Sequence, residues 1–164
     1  MNAAMRLARA GMGLGLALCA GAASAVTCSL SSVPVAFPPY DVYATGATNS
    51  NGKVTVACQL TGELILRVNY TVSLSAGSSN SYVQRKLKHV TLSDQLGYNL
   101  YTSNTYSVVW GDGNGGSSTQ SGSFTLTFIT PSGSAGLTVY GQVPPLQDVS
   151  VGSYNDSIVA TVNY

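Results

Sequence analysis

Apolar and polar residues alternate along much of the chain with the two-residue period of a β-strand. Successive side chains of a strand point to opposite faces, so such alternation indicates a strand with one buried side. The longest example covers residues 64–75 and predicts a strand whose buried face is wholly apolar. The residues on this face are Leu64, Leu66, Val68, Tyr70, Val72 and Leu74.

Further segments are predicted as strands because they contain β-branched and aromatic residues and are bounded by Gly, Ser, Asn or Pro. They cover residues 53–59, 84–92, 98–101, 106–110, 123–130, 136–143 and 157–164. The sequence has no helical periodicity of apolar residues. Several short strands at this spacing are typical of a β-sandwich, so we predict an all-β fold of two sheets.

The C-terminal segment, residues 157–164, alternates in the same way. Its apolar face carries Ile158, Ala160, Val162 and Tyr164. An ordinary core strand and a strand that lines an open groove would both have this pattern. The alternation alone therefore does not separate these two interpretations.

The N-terminus has the three parts of a secretory signal peptide in their usual order. Two arginines precede an apolar run at residues 11–22, which is too short to span a bilayer, and the run ends in the small-residue triplet Ala23-Ser24-Ala25. We expect removal of residues 1–25, which leaves residues 26–164 as a single domain. A lipoprotein signal at Cys19 is the disfavoured alternative, because a bulky leucine precedes that cysteine.

The expected mature chain carries five basic and six acidic residues, a formal net charge of −1. Nucleic acids and anionic lipids are bound through clustered positive charge, which this sequence lacks. Its ten tyrosines and many valines and threonines argue against disorder. We therefore expect a folded, secreted protein that does not bind nucleic acid.

Two cysteines, Cys28 and Cys58, remain after the expected cleavage. Secretion places them in an oxidising compartment, and no CxxC motif or histidine cluster accompanies them. We therefore predict a disulfide between them rather than a metal site or a reactive thiol. In the chain-entropy model, closing a loop of about 31 residues stabilises the fold by roughly 3.5–4 kcal/mol.

The sequence contains no recognisable catalytic or metal-binding set. The only histidine, His89, has no neighbouring carboxylate or serine motif of the kind that base catalysis requires. The glycine-rich segment 110–116 contains Asp112 and Asn114 but lacks the further oxygen ligands that calcium needs, so it is interpreted as a turn. We expect no enzyme activity, no cofactor and no metal, although strands distant in sequence could still bring Asp94 and Asp112 together.

Weak motifs in a fixed order link residues 28–164 to a known family. They are Phe37, Tyr40-Asp41, Cys58, Leu74, Gly77, Arg85, Leu96, Tyr98-Asn99-Leu100-Tyr101, Trp110-Gly111-Asp112-Gly113, Val139-Tyr140-Gly141, Pro144, Gln147, Gly152-Ser153-Tyr154-Asn155-Asp156, Val159, Val162 and Tyr164. With these residues the chain resembles the spore coat protein U domain family, which also supplies subunits of the archaic, Csu-type chaperone–usher pili.

The resemblance implies an immunoglobulin-like sandwich that lacks its last strand and exposes an apolar groove. In the family's pili a periplasmic chaperone fills the groove, and a strand of a neighbouring subunit then replaces the chaperone. The groove would be lined here by Ile158, Ala160, Val162 and Tyr164. The implied partners are the chaperone, the usher and neighbouring pilus subunits. The implied location is the cell surface, which the protein reaches through the periplasm. It would contact the outer membrane only through the usher.

The expected mature N-terminus departs from the pattern of a pilus shaft subunit. A shaft subunit needs a donor strand of about ten residues ahead of its first cysteine. Only Val26 and Thr27 would precede Cys28. This predicts a tip or accessory position in a fibre.

Residues 35–43 place aromatic and proline residues in a predicted loop, which suggests an adhesive surface. The exposed residues of this loop would be Pro38, Pro39, Val42 and Tyr43. Phe37 and Tyr40 belong to the family pattern and are expected in the core. We predict a fibre subunit for adhesion and biofilm formation. The alternative is a self-contained secreted spore-coat or matrix protein, or a carbohydrate-binding module.

Overall fold

The computed structural model describes residues 25–62 and 65–164. The predicted signal peptide, apart from Ala25, lies outside the described residues, as does Leu64. The strands are β1 (Ala25–Val33), β2 (Thr48–Thr61), β3 (Leu66–Leu74), β4 (Arg85–His89), β5 (Gln95–Tyr101), β6 (Gln120–Leu126), β7 (Ser132–Val143), β8 (Tyr154–Asn155) and β9 (Ala160–Asn163). A short 3₁₀ turn, Gly77–Ser79, follows β3.

The strands form two antiparallel sheets. Six strands lie in the order β1-β2-β7-β5-β4-β8, and three lie in the order β6-β3-β9. Within the described ranges the chain forms no α-helix. The predicted all-β architecture of two sheets is therefore confirmed.

The core lies between the sheets and is built from every second residue of the longest strands. Its buried members on β2 and β3 are Val54, Val56, Cys58, Leu60, Val68, Tyr70, Val72 and Leu74. These residues belong to one continuous hydrophobic cluster. The alternation predicted for residues 64–75 is thus confirmed from Val68 onward, whereas Leu66 at the start of β3 is exposed.

Trp110 is fully buried within this cluster. Its indole N–H donates a hydrogen bond of 3.0 Å to the backbone carbonyl oxygen of Val72 on β3. A buried indole N–H without a partner would destabilise the fold, so this bond permits the burial of the large ring. It also fixes the segment after β5 against the three-stranded sheet.

The predicted strand at residues 106–110 is wrong. Tyr106 has a φ of 52°, in the left-handed region, which a continuous strand does not pass through. Only Val109 and Trp110 in this segment form isolated bridges, with Tyr101 and Ser118. The segment is a loop that returns the chain to the core.

Strand β1 was missed from the sequence, although Val26, Cys28 and Leu30 alternate with polar residues. The strand pairs along its whole length with β2, from Ala25 opposite Thr61 to Val33 opposite Lys53. This pairing places β1 at one edge of the six-stranded sheet.

The predicted disulfide between Cys28 and Cys58 is confirmed. The two residues lie directly opposite each other in the β1–β2 pair, with their Cα atoms 4.0 Å apart. The bond therefore joins the edge strand β1 to its neighbour β2 in the sheet.

Candidate functional site

A groove lies between the edge strands of the two sheets. Among the described residues, β1 ends the six-stranded sheet with β2 as its only strand partner, and β9 ends the three-stranded sheet with β3 as its only strand partner. Each strand therefore has one row of backbone N–H and C=O groups without a strand partner. Such rows can pair with a further strand.

The inward-facing apolar residues of these edges are only partly buried. They are Val26, Cys28 and Leu30 on β1, and Ile158, Ala160 and Val162 on and just before β9. Val56 on β2 and Val72 on β3, one strand further in, are fully buried. Apolar surface that faces the core thus stays accessible along both sides of the groove.

A cavity of about 500 Å³ opens in this groove. The end of β1 and the segment after it form one wall, and Ile158 and Ala160 form the other. Side chains from both sheets form its inner surface: Val54, Leu74, Leu100 and Val139. The cavity therefore reaches from the strand edges to the hydrophobic core.

Four residues were predicted from the alternation and the family resemblance to line a groove. Ile158 and Ala160 line the cavity, and Val162 is partly buried against the core. Tyr164, the residue after β9, is 57% exposed. The structure therefore brings three of the four together on the edge of the core and leaves Tyr164 at the surface.

Asp156 fixes the segment that leads into β9. Its carboxylate accepts hydrogen bonds from the backbone N–H groups of Ser78 (2.9 Å) and Ser157 (2.8 Å), and from the hydroxyl of Tyr98 (2.7 Å). Burial of Tyr98, together with this hydrogen bond and the negative charge of Asp156, raises the pKa of the tyrosine above its usual value. Asp156 and Tyr98 both line the cavity.

Arg85 fixes the same wall from the other side of the core and is fully buried. Its guanidinium donates to the backbone carbonyl oxygens of Ser75 (2.8 and 3.1 Å) and Trp110 (2.8 Å), and to the side-chain oxygen of Asn99 (2.7 Å). Burial lowers its pKa, since desolvation disfavours the charged form. The sequence placed Arg85 in the family pattern without indicating this role.

Ser75 connects Arg85 to β9. Its N–H donates to the backbone oxygen of Val159, and its hydroxyl oxygen accepts from the N–H of Val159, both at 2.9 Å. The β3–β9 pairing is thereby extended by one residue toward the cavity. Arg85, which does not line the cavity, thus binds the residue that pairs with Val159 beside the cavity wall.

A second polar network holds the chain beside β5. The side-chain amide of Gln147 accepts from the N–H of Gly97 (2.7 Å) and donates to its carbonyl oxygen (2.9 Å), as a neighbouring strand would. The Tyr40 hydroxyl donates to the Pro144 oxygen and accepts from the Gln147 N–H. Tyr40 and Gln147, both in the family pattern, thus hold the fold together by hydrogen bonds. Phe37, a third residue of the pattern, packs against Tyr98 with the ring centres 6.0 Å apart.

The predicted adhesive loop is largely at the surface. Pro38 and Pro39 are exposed, and Tyr43 is 87% exposed, whereas Val42 is partly buried. The Asp41 carboxylate accepts a hydrogen bond of 2.9 Å from the Tyr43 N–H, which fixes the turn. The structure therefore presents the tyrosine ring to solvent.

His89 holds the turn that follows β4. Its Nδ1 accepts hydrogen bonds from the backbone N–H groups of Thr91 (3.1 Å) and Leu92 (2.9 Å), and its ring packs edge-on against Tyr154. A nitrogen that accepts these bonds carries no proton. Both bonds close the turn after β4.

The glycine-rich segment forms a turn, as predicted from the sequence. The Asp112 carboxylate accepts from the Asn114 N–H, and this hydrogen bond lowers the pKa of Asp112. Asp94 instead accepts from the N–H of Ser150. In the described residues, no group of three or more His, Cys, Asp or Glu side chains could hold a metal ion.

The two sheets and the accessible core between their edges define an all-β protein with a groove beside two strand edges. Residues 16–161 match the Spore Coat Protein U domain, and the chain belongs to this family. The family includes spore-coat and pilus-like proteins and is structural in character.

One relative is Protein U of Myxococcus xanthus, which is 29% identical over 113 residues. This alignment covers 69% of the chain and 59% of Protein U, so the chain spans about three fifths of that relative's length. In the described part of the chain, no helix has the length and apolar character needed to cross a membrane.

Proposed function

We propose that the protein is a secreted subunit of a surface fibre and that the groove between β1 and β9 accepts an extended strand from a neighbouring subunit. The observation that carries the proposal is the cavity of about 500 Å³ that exposes the core between two unpaired strand edges. Strand addition would satisfy the free backbone groups and bury the apolar walls together.

Membership of the spore coat protein U family supports this role, because the family includes pilus-like proteins. In the proposed assembly route, a periplasmic chaperone occupies the groove first and the usher then exchanges it for the strand of another subunit. A chaperone is needed because an accessible strand edge beside exposed core residues favours aggregation. The mature protein would reside at the cell surface.

The pairing of β1 supports a tip or accessory position in the fibre. If the signal peptidase cleaves before Val26, every residue ahead of Cys28 belongs to β1 and pairs with β2. Such a mature chain would accept a strand and would have no N-terminal strand to donate. N-terminal sequencing of the secreted protein tests this, and a start well before Val26 would exclude it.

The test of the groove is purification of the protein from periplasm with and without a cognate chaperone, followed by addition of a donor-strand peptide. We expect recovery only with the chaperone, release of the chaperone by the peptide, and a more heat-stable complex. A stable monomer that ignores the peptide would instead identify a self-contained coat or matrix protein.

Adhesion is a second candidate function, favoured by the exposure of the Tyr43 ring on a turn fixed by Asp41. An exposed aromatic side chain beside prolines can bind an apolar surface. We expect Tyr43→Ser to weaken surface attachment without reducing secretion. Val83→Ser, which removes another exposed apolar side chain, is the matched control. Equal attachment of both variants and the unaltered protein excludes the loop as an adhesive.

A further inference from the structure

We propose that Asn114 is a site of spontaneous deamidation, and that the fold directs this reaction to Asn114 and away from the chemically equivalent Asn51. Both residues precede a glycine, in Asn114-Gly115 and Asn51-Gly52. Because glycine has no Cβ, its backbone nitrogen is accessible to the preceding asparagine side chain, so each pair has the local chemistry for cyclisation. The two sites differ in their tertiary environment.

Asn114 begins a tight turn at the surface. Its backbone oxygen accepts from the N–H (3.0 Å) and the hydroxyl (2.7 Å) of Ser117, and the two residues between them, Gly115 and Gly116, have φ values of 56° and 78°. These signs are those of a type I′ turn. Asn114, Gly115 and Gly116 are all exposed.

Little packing opposes a local opening of this turn. A Cβ atom added to Gly113 or Gly116 would meet no atom within 4 Å, and one added to Gly115 would meet only Tyr82 at 3.6 Å or more. The turn is restrained by its own hydrogen bonds, to Ser117 and from the Asn114 N–H to the Asp112 carboxylate. Segments with few packing contacts open locally at a small free-energy cost.

Asn51 lies within the central ladder of the six-stranded sheet. It is opposite Tyr140 of β7, and Gly52 is opposite Val139. Gly52 is buried, and a Cβ added there would lie 2.7 Å from the Val33 carbonyl oxygen and 2.8 Å from a Val35 methyl group. Cyclisation at this site therefore requires disruption of strand pairing.

The reaction requires no other group. The Gly115 amide nitrogen loses its proton and bonds to Cγ of Asn114, and the side-chain nitrogen leaves as ammonia, which gives a five-membered succinimide. Water then breaks one of the two ring C–N bonds. Breaking the bond at Cγ gives aspartate and leaves the main chain unchanged. Breaking the bond at the main-chain carbonyl carbon gives isoaspartate, in which the main chain runs through the former side chain.

Both products change the turn. The new carboxylate stands two residues from Asp112, so the formal charge of residues 110–117 changes from −1 to −2. Isoaspartate also lengthens the main chain by one carbon between Trp110 and Ser118, which form a bridge across the turn. Deamidation is thus a modification that marks the age of the folded protein at one defined surface turn.

The test is incubation of the full mature protein at mildly alkaline pH, with peptide mass spectrometry to follow the gain of one mass unit at each site. We expect deamidation of Asn114 to be roughly tenfold faster than that of Asn51, or more, in the native protein. In denaturant we expect the two rates to converge. Asn114→Gln, which disfavours the five-membered ring, should abolish the fast phase and retain the native circular dichroism spectrum.

Equal native rates at the two sites, or an unmodified Asn114, overturns the proposal. A rate ratio that persists in denaturant also overturns it, because the difference would then come from the neighbouring sequence rather than from the fold.

Discussion

Tyr98 and Asp156 are joined by a hydrogen bond of 2.7 Å from the tyrosine hydroxyl to the carboxylate, across 58 positions of sequence. Tyr98 lies on β5, and Asp156 lies between β8 of the same six-stranded sheet and β9 of the three-stranded sheet. The bond thus holds the segment that leads from one sheet to the other at the cavity. It stabilises the groove wall in the protein without a bound strand.

Removal of the Tyr98 hydroxyl should reduce the stability of the protein through the lost hydrogen bond, because the aromatic ring remains and no large cavity is created. We expect Tyr98→Phe to lower the free energy of unfolding by about 1.5–3 kcal/mol, the range for hydrogen bonds to charged groups. Urea denaturation at neutral pH measures the change. An effect below about 0.5 kcal/mol would contradict a role of the bond in fixing the wall.

The same tyrosine predicts a pH dependence. Its pKa is raised in the folded state, so the unfolded chain releases the proton first as pH rises. The stabilisation from Tyr98 is therefore complete below about pH 10, the ordinary pKa of tyrosine, and decreases above it. The free energies of unfolding of the unaltered protein and of Tyr98→Phe, measured from denaturation curves, should therefore become more alike as the pH rises from neutral to pH 11. A constant difference between them would refute the predicted linkage.

Arg85 should contribute more than a surface arginine. We expect Arg85→Met to lower the free energy of unfolding by about 3 kcal/mol or more, because the buried carbonyl oxygens of Ser75 and Trp110 lose their donors. Arg67→Met is the matched control, since Arg67 is exposed and, within the described part of the chain, its guanidinium donates to the Ser123 hydroxyl at 3.4 Å. Equal costs for the two substitutions would show that the buried network adds nothing.

The disulfide should stabilise β1 at the sheet edge. We expect replacement of Cys28 and Cys58 by serine to lower the free energy of unfolding by about 3–4 kcal/mol. Hydrogen exchange should increase most along β1, since this edge strand has only one neighbour. A reducing agent should destabilise the unaltered protein and leave the double variant unchanged. Uniform exchange along the chain would contradict a local role of the bond.

Ala160 gives a test of the cavity as a binding site. We expect Ala160→Leu to fill part of the cavity, to raise the stability of the protein without a partner by up to about 2 kcal/mol, and to weaken donor-peptide binding. Ala57→Leu makes the same change on the exposed face of β2 and is the control. Thermal denaturation and peptide titration measure both effects. Unaltered peptide binding by Ala160→Leu would locate the strand site elsewhere.

His89 provides a prediction for a buried polar residue outside the groove. We expect His89→Phe to cost about 1–3 kcal/mol, because the N–H groups of Thr91 and Leu92 lose their acceptor while the ring volume is largely retained. His89→Asn, which offers an acceptor oxygen, should recover part of the loss. Thermal unfolding of the three proteins measures these differences. A His89→Phe variant as stable as the unaltered protein would contradict the role of His89 as a hydrogen-bond acceptor.

The sequence alone was sufficient for the elements whose signal is local. The alternation from Val68 to Leu74 predicted β3, because a strand with one buried face requires an apolar residue at every second position. The pair Cys28 and Cys58 predicted the disulfide, because the expected removal of a signal peptide would leave only these two thiols in an oxidising compartment. The spacing of the short strands predicted a two-sheet fold, and the family resemblance implied the same fold.

Tertiary structure decided what depends on strands distant in sequence. The alternation at Ile158, Ala160 and Val162 is compatible with a core strand or a groove wall. The position of β9 at the end of its sheet, in the part of the chain that the structure describes, places these residues at an edge. The role of Arg85 depends on carbonyl oxygens of Ser75 and Trp110, which no local pattern connects to it. Periodicity records which face of a strand is apolar, whereas the packing of both sheets determines whether that face is covered.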